Sequence, residues 1–76
     1  MKLSSRRLLK AIALLKGFTM AEVAKNIGIS EPSLYRKLNG ASDFTRMEII
    51  KIKNLLCLDT NEMIEIFFNE ERKQVE

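Results

Sequence analysis

The chain contains no histidine, one cysteine (Cys57), one proline (Pro32) and three glycines, and Lys10 interrupts the apolar residues near its start. Each scarcity excludes something. Without histidine the usual Cys/His zinc patterns cannot be built, and a lone cysteine cannot close an internal disulfide. General acid–base chemistry loses its commonest side chain. There is no nucleophile elbow and no glycine-rich loop to cradle phosphate, and the acids stand at expected helix starts or toward the C-terminus. No enzyme activity, metal, cofactor or small-molecule ligand is expected. The segment from Met1 to Phe18 has the basic start of a signal peptide, but Lys10 divides its apolar part and no small-residue cleavage site follows. The expectation is a cytoplasmic protein without a membrane span.

Apolar content, by contrast, is ample: 46% hydrophobic residues with 30% charged is the balance of a globular domain and not of a disordered chain. Residues 1–76 predict one domain, with 69–76 a polar tail. A chain this short buries only about 60% of the surface its unfolded form exposes, and its stability is expected at about 4 to 11 kcal/mol. Charge is uneven. Residues 1–57 carry eleven Lys and Arg against four acids, a balance of +7, whereas residues 58–76 carry two against six, a balance of −4. The overall +3 conceals a basic body and an acidic end, the distribution of a polyanion-attracting surface with its back turned.

Three segments begin in the same way: Phe18-Thr19-Met20-Ala21-Glu22-Val23, Phe44-Thr45-Arg46-Met47-Glu48-Ile49 and Leu58-Asp59-Thr60-Asn61-Glu62-Met63. In each, an oxygen-bearing cap can accept from the amide three residues on. The Glu at that position can reach back to the cap's own amide, and the flanking apolar pair can close over the turn. Leu8, Ala11, Ile12 and Leu15 recur at i, i+3, i+4 and i+7, with Ser4 or Ser5 able to cap the start and Gly17 suited to a left-handed position past the end. The expected helices are residues 5–16, 20–27, 31–38, 46–57 and 60–71. No segment alternates with period two for long enough to argue a strand. The fold class is all-α, five short helices with tight connections, and Cys57, beside Leu55 and Leu56, is expected as a small core residue.

Between the second and third helices, Ile27-Gly28-Ile29-Ser30-Glu31-Pro32 leaves only a three-residue corner. Gly28 supplies the positive φ that ends one helix, Ile29 can plug the corner, and Ser30 can cap the next helix. Pro32 costs little, because amides in a first helical turn have no intrahelical partner to lose. Along 31–38, Leu34 and Leu38 share a face. Arg36 projects about 180° from their midpoint, with Pro32, Ser33 and Asn39 within roughly 60° of it, at about 100° per residue. That face has little to bury, so it is presented to something.

Gly17-Phe18-Thr19, Val23-Ala24, Ile27-Gly28-Ile29-Ser30, Leu34 and Asn39-Gly40 together resemble the helix-turn-helix family of phage repressor and Cro proteins, the XRE-like family. The likeness extends loosely over helices 1, 4 and 5. Small Ala24 and Gly28 would let two helices pack closely at a sharp angle. The resemblance implies a five-helix lambda-repressor-like domain with the helix-turn-helix at helices 2 and 3. It also implies a transcriptional regulator that reads double-stranded DNA in the major groove, as a homodimer on half-sites about 34 Å apart. Carried over by position, the base-reading residues are Glu31, Pro32, Tyr35 and Arg36, with Ser33 adjacent. Arg36 stands foremost, since a guanidinium can bond bidentately to guanine O6 and N7. Glu31 fits equally well as a first-turn acid that complements the helix dipole. Contacts to the DNA backbone fall to the amides of Thr19 and Met20 and to Lys37, Asn39, Ser42, Thr45 and Arg46.

The chain departs from that family at several positions. Many relatives carry Gln at the position of Met20, where it braces a phosphate; Met20 can offer only its backbone amide. Relatives also tend to pair an Arg late in helix 1 with a Glu near the end of helix 3. Ala13 and Leu38 stand there instead, an apolar variant of the core, since replacing a buried ion pair by packed apolar groups is often neutral or stabilising. An apolar residue is usual at the position of Lys37. In helix 5, Met63-Ile64-Glu65-Ile66-Phe67-Phe68 has five apolar residues in six, more than one face of a short helix needs. Ile64, Ile66, Phe67 and Phe68 are therefore expected either at a dimer seam or closing a small core. Two further functions fit the same chain. One is a modulator that binds a second repressor protein, favoured by Glu31 at the groove-facing tip and by the missing glutamine; the other is the antitoxin of a toxin pair.

Overall fold

The computed structural model describes residues 4–68. Within them the chain forms five helices and no strand: α1 (Ser5–Leu15), α2 (Met20–Ile27), α3 (Glu31–Leu38), α4 (Arg46–Leu56) and α5 (Thr60–Phe67). Each begins at a predicted cap. Thr19, Thr45 and Asp59 each accept from the amide of the Glu three residues on, and that Glu's carboxylate accepts from the cap's amide. These reciprocal bonds span 2.8 to 3.1 Å. Ser4 caps α1, and Ser30 caps α3 ahead of Pro32 in its first turn. The ends differ little from expectation: α1 and α4 each stop one residue early. Helix 5, expected to reach residue 71, stops at Phe67, with Phe68 leaving the helical conformation at φ −123°; the tail at 69–76 lies outside the described residues.

Four of the helices end in one wrap, an amide reaching back five residues to a carbonyl: Phe18 to Ala13, Ile29 to Ala24, Ala41 to Arg36 and Leu58 to Lys53, at 2.8 to 3.0 Å. The wrap needs a left-handed residue just before that amide. Gly28 fills that place in the corner between α2 and α3, at φ 87°. A Cβ there would meet nothing within 4 Å, so Gly28 serves the backbone angle and not, as the close-packing argument expects, the space between helices. After α4 the left-handed residue is Cys57, at φ 52°. Its expected place in the core is overturned: Cys57 is exposed, because a left-handed cap turns its own side chain outward and sends the next residue, Leu58, inward to 5% exposure.

The core draws on every helix: Leu9, Ile12 and Ala13, then Val23, Ala24 and Ile27, then Leu34 and Leu38, then Ile52 and Leu56, then Ile66 and Phe67. The α1 helix packs on α5 and α2 on α4, with the Phe44 ring edge-on to Phe67 at 5.1 Å. Ala13 and Leu38, read as an apolar replacement of an ion pair, are both core residues. Two expectations about faces are corrected. The buried stripe of α1 is Ser5, Leu9, Ile12 and Ala13; of the stripe expected with Ile12, Leu8 is only partly buried, Ala11 is exposed and Leu15 is 85% exposed. An unbroken apolar run from Ala11 to Leu15 allows more than one stripe, and contact with α5 chooses among them. In α5, Ile66 and Phe67 are buried and Ile64 and Phe68 are about half exposed, so the first pair belongs to the core and is unavailable to a dimer seam. No helix among the described residues is long and apolar enough to cross a membrane.

Candidate nucleic-acid interface

The sequence-predicted residues fall into three local groups. Lys10 and Leu14 of α1, Thr19 and Met20 at the start of α2, and Glu31 and Tyr35 of α3 line one open groove of about 280 Å³. Met20 itself is 5% exposed. Its side chain belongs to the core, so what it can offer a phosphate is its backbone amide. Thr19 and Glu22 bond each other's amides in the capping box, which leaves the amides of Met20 and Ala21 as the unpaired first-turn donors of α2. The Tyr35 ring is half-buried against the core, and the Arg6 guanidinium lies over it at 5.4 Å from the ring centroid. Arg6 escapes sequence reasoning altogether. Nothing in the local pattern ties a residue of the first helix to one in the third; only the packing of α1 beside α3 brings them together.

A second group runs along the outer face of α3. Opposite the buried Leu34 and Leu38, Pro32, Arg36 and Asn39 are exposed and Ser33 is half-buried. Ser30 Oγ accepts from the Ser33 amide at 3.2 Å and donates to Ser33 Oγ at 3.0 Å. Ser33 Oγ also accepts from Arg36 Nη2 at 3.1 Å. Ser42, Thr45 and Arg46, which follow in the loop and at the head of α4, are exposed as well.

The third group corrects an expectation. Lys37, carried over as a DNA-backbone contact, turns away from the Arg36 face toward α4. Its Nζ donates to Glu48 Oε1 at 2.8 Å and to the Asp43 carbonyl at 3.2 Å. With the two side chains only 15% and 14% exposed, this is a shielded pair and not one that solvent and salt largely cancel. Glu48 Oε1 also accepts from the Thr45 amide, so one oxygen closes the cap of α4 and anchors α3 to it. Burial by itself would raise the Glu48 pKa. The Lys37 ammonium and the Thr45 hydrogen bonds outweigh that and hold it below the ordinary carboxylate value. The sequence signal for this pair was a lysine at a position where the resemblance implies an apolar residue; its partner is visible only in three dimensions.

With this geometry in hand, the likeness to known families can be placed. The family described as protein of unknown function (DUF739) matches residues 1–70. The chain belongs to the DUF739 family. Its match takes in all five helices and so all three groups of residues. No curated protein and no solved structure matches the chain.

Proposed function

We propose that this DUF739 protein is a sequence-specific, double-stranded DNA-binding regulator of transcription, of the phage repressor and Cro type, that lays α3 in the major groove. One observation carries the reading. The helix after a three-residue corner buries only Leu34 and Leu38 and leaves a polar, cationic face around Arg36 open. Arg36 reads a base, Pro32 and Tyr35 offer apolar contact to a thymine methyl, and Glu31 either accepts from a cytosine amino group or complements the helix dipole. With the Thr19 amide taken by Glu22, the Met20 and Ala21 amides, Asn39, Ser42, Thr45 and Arg46 hold phosphates on either side. The basic body of the chain supports the same partner. Two copies on a two-fold site would meet through Ile64 and Phe68, the apolar residues of α5 that its core leaves open.

The test is fluorescence anisotropy on the duplex upstream of the protein's own gene, at two salt concentrations. Log affinity is expected to fall against log salt with a slope of about −0.9 for each phosphate neutralised. Arg36→Ala should weaken the specific site by about 1 to 3 kcal/mol and relax preference at one base position. Equal losses on specific and random DNA would reduce Arg36 to a phosphate contact. Binding that stays at background in low salt would overturn the proposal and favour the second reading, a modulator of another repressor. For that reading the apolar groove with Glu31 at its edge would be the docking surface.

A further inference from the structure

We infer that Ser33 is a positioning residue: the hydroxyl chain Ser30–Ser33 fixes the Arg36 guanidinium before any duplex arrives and thereby sets base selectivity. The inference rests on the DNA-binding reading above and assigns Ser33 a different task from base contact.

A serine hydroxyl has two acceptor lone pairs and one proton to donate. In Ser33 both lone pairs are engaged, one by the Ser30 hydroxyl at 3.0 Å and one by Arg36 Nη2 at 3.1 Å. Ser33 therefore cannot also accept from a base edge without releasing one of them. The Ser30 hydroxyl is itself held, because its oxygen caps α3 by accepting from the Ser33 amide at 3.2 Å. The chain thus runs from a backbone-anchored cap to the guanidinium, and of its two hydroxyl protons only that of Ser33 stays uncommitted.

Arg36 gives up one of its five N–H donors to this brace and keeps four, enough for a two-bond fork onto guanine. An exposed arginine otherwise samples many rotamers and loses that freedom on binding. Ser33 removes part of the loss beforehand, for the rotamer that points along the outer face of α3. The spacing explains why the helix carries serine at 33: residues three apart on a helix lie one above the other, so only a short acceptor there meets the arginine without covering it.

The experiment uses the full chain with Ser33→Ala, Ser33→Thr, Arg36→Ala and the Ser33→Ala/Arg36→Ala double variant, each confirmed helical by circular dichroism. The DNA probe is the duplex that the wild type enriches most from a random-sequence library. Ser33→Ala is expected to weaken that duplex by about 2- to 13-fold, the cost of ordering one long side chain. It should also relax preference at the same base position as Arg36→Ala. Ser33→Thr, which restores the hydroxyl, should recover both, and the double variant should bind no more weakly than Arg36→Ala alone. In the free protein, NMR of the Arg36 guanidinium should show slow rotation in the wild type and Ser33→Thr, and fast rotation in Ser33→Ala.

Losses from Ser33→Ala and Arg36→Ala that multiply in the double variant would overturn the inference, because Ser33 would then act on its own. Equal guanidinium mobility in wild type and Ser33→Ala would overturn it too. A wild type that holds Arg36 rigid yet enriches no duplex would instead sink the DNA-binding reading, and the selectivity claim would fall with it.

Discussion

At Cys57 the backbone sits at φ 52° and ψ 50°, a conformation that costs a residue with a Cβ about 1 to 2 kcal/mol. The other positive-φ positions, Gly17, Gly28 and Gly40, carry no Cβ to strain. The Cys57 side chain is exposed and its one polar contact is a long 3.9 Å approach of Sγ to the Asn54 carbonyl, so little is lost by removing it. Glycine adds flexibility to the unfolded chain, which offsets part of the gain. Cys57→Gly should therefore stabilise the protein by about 0.5 to 1 kcal/mol, seen as a higher urea midpoint with an unchanged slope. A lower midpoint would mean that the thiol packs more tightly than its exposure indicates.

Between helices, the shared oxygen of Glu48 links the cap of α4, which the sequence predicts, to the tie from Lys37, which it does not. Because the folded-state pKa of Glu48 lies below its unfolded value, the native state binds a proton there less readily than the unfolded chain does. Its contribution is complete above about pH 4.5 and is lost as pH falls through the lower, folded value. Glu48→Gln keeps the shape and removes the charge. It should cost on the order of 1 kcal/mol at neutral pH, and thermal melts of wild type and variant should converge as the buffer is taken from pH 7 toward 3. Parallel curves across that range would show that Glu48 ionises alike in both states. On the proposed function, the variant also removes one negative charge beside α3, so a rise in non-specific DNA affinity should accompany the loss of stability.

For the molecule as a whole, α5 divides its apolar side chains between two tasks. Phe67 is 3% exposed and meets Phe44 edge-on, whereas Phe68, the next residue, is 52% exposed. Phe67→Ala should cost about 3 to 5 kcal/mol, a large part of the about 4 to 11 kcal/mol expected for a chain of this size. Phe68→Ala should cost less than about 1 kcal/mol. Chemical denaturation of the two variants at one protein concentration makes the comparison. On the proposed function, Phe68→Glu should leave the helical signal intact and shift the sedimenting species toward monomer. A variant that unfolds instead would return Phe68 to the core.

Helix starts, the ends of the first four helices to within a residue and the all-α class follow from the chain alone, because caps, reciprocal Glu bonds and left-handed termini act over three to five residues and need no distant partner. The exposed face of α3 was legible for the same reason: its two leucines leave one orientation for so short a rod. Where a helix is apolar on several sides, local pattern is degenerate. The stripe that α1 buries and the division of α5 between Ile66–Phe67 and Ile64–Phe68 were decided by what each element packs against. The tie from Lys37 to Glu48 and the stacking of Arg6 on Tyr35 belong to the same class. Charges and rings distant along the chain meet only once the core has set the helices side by side.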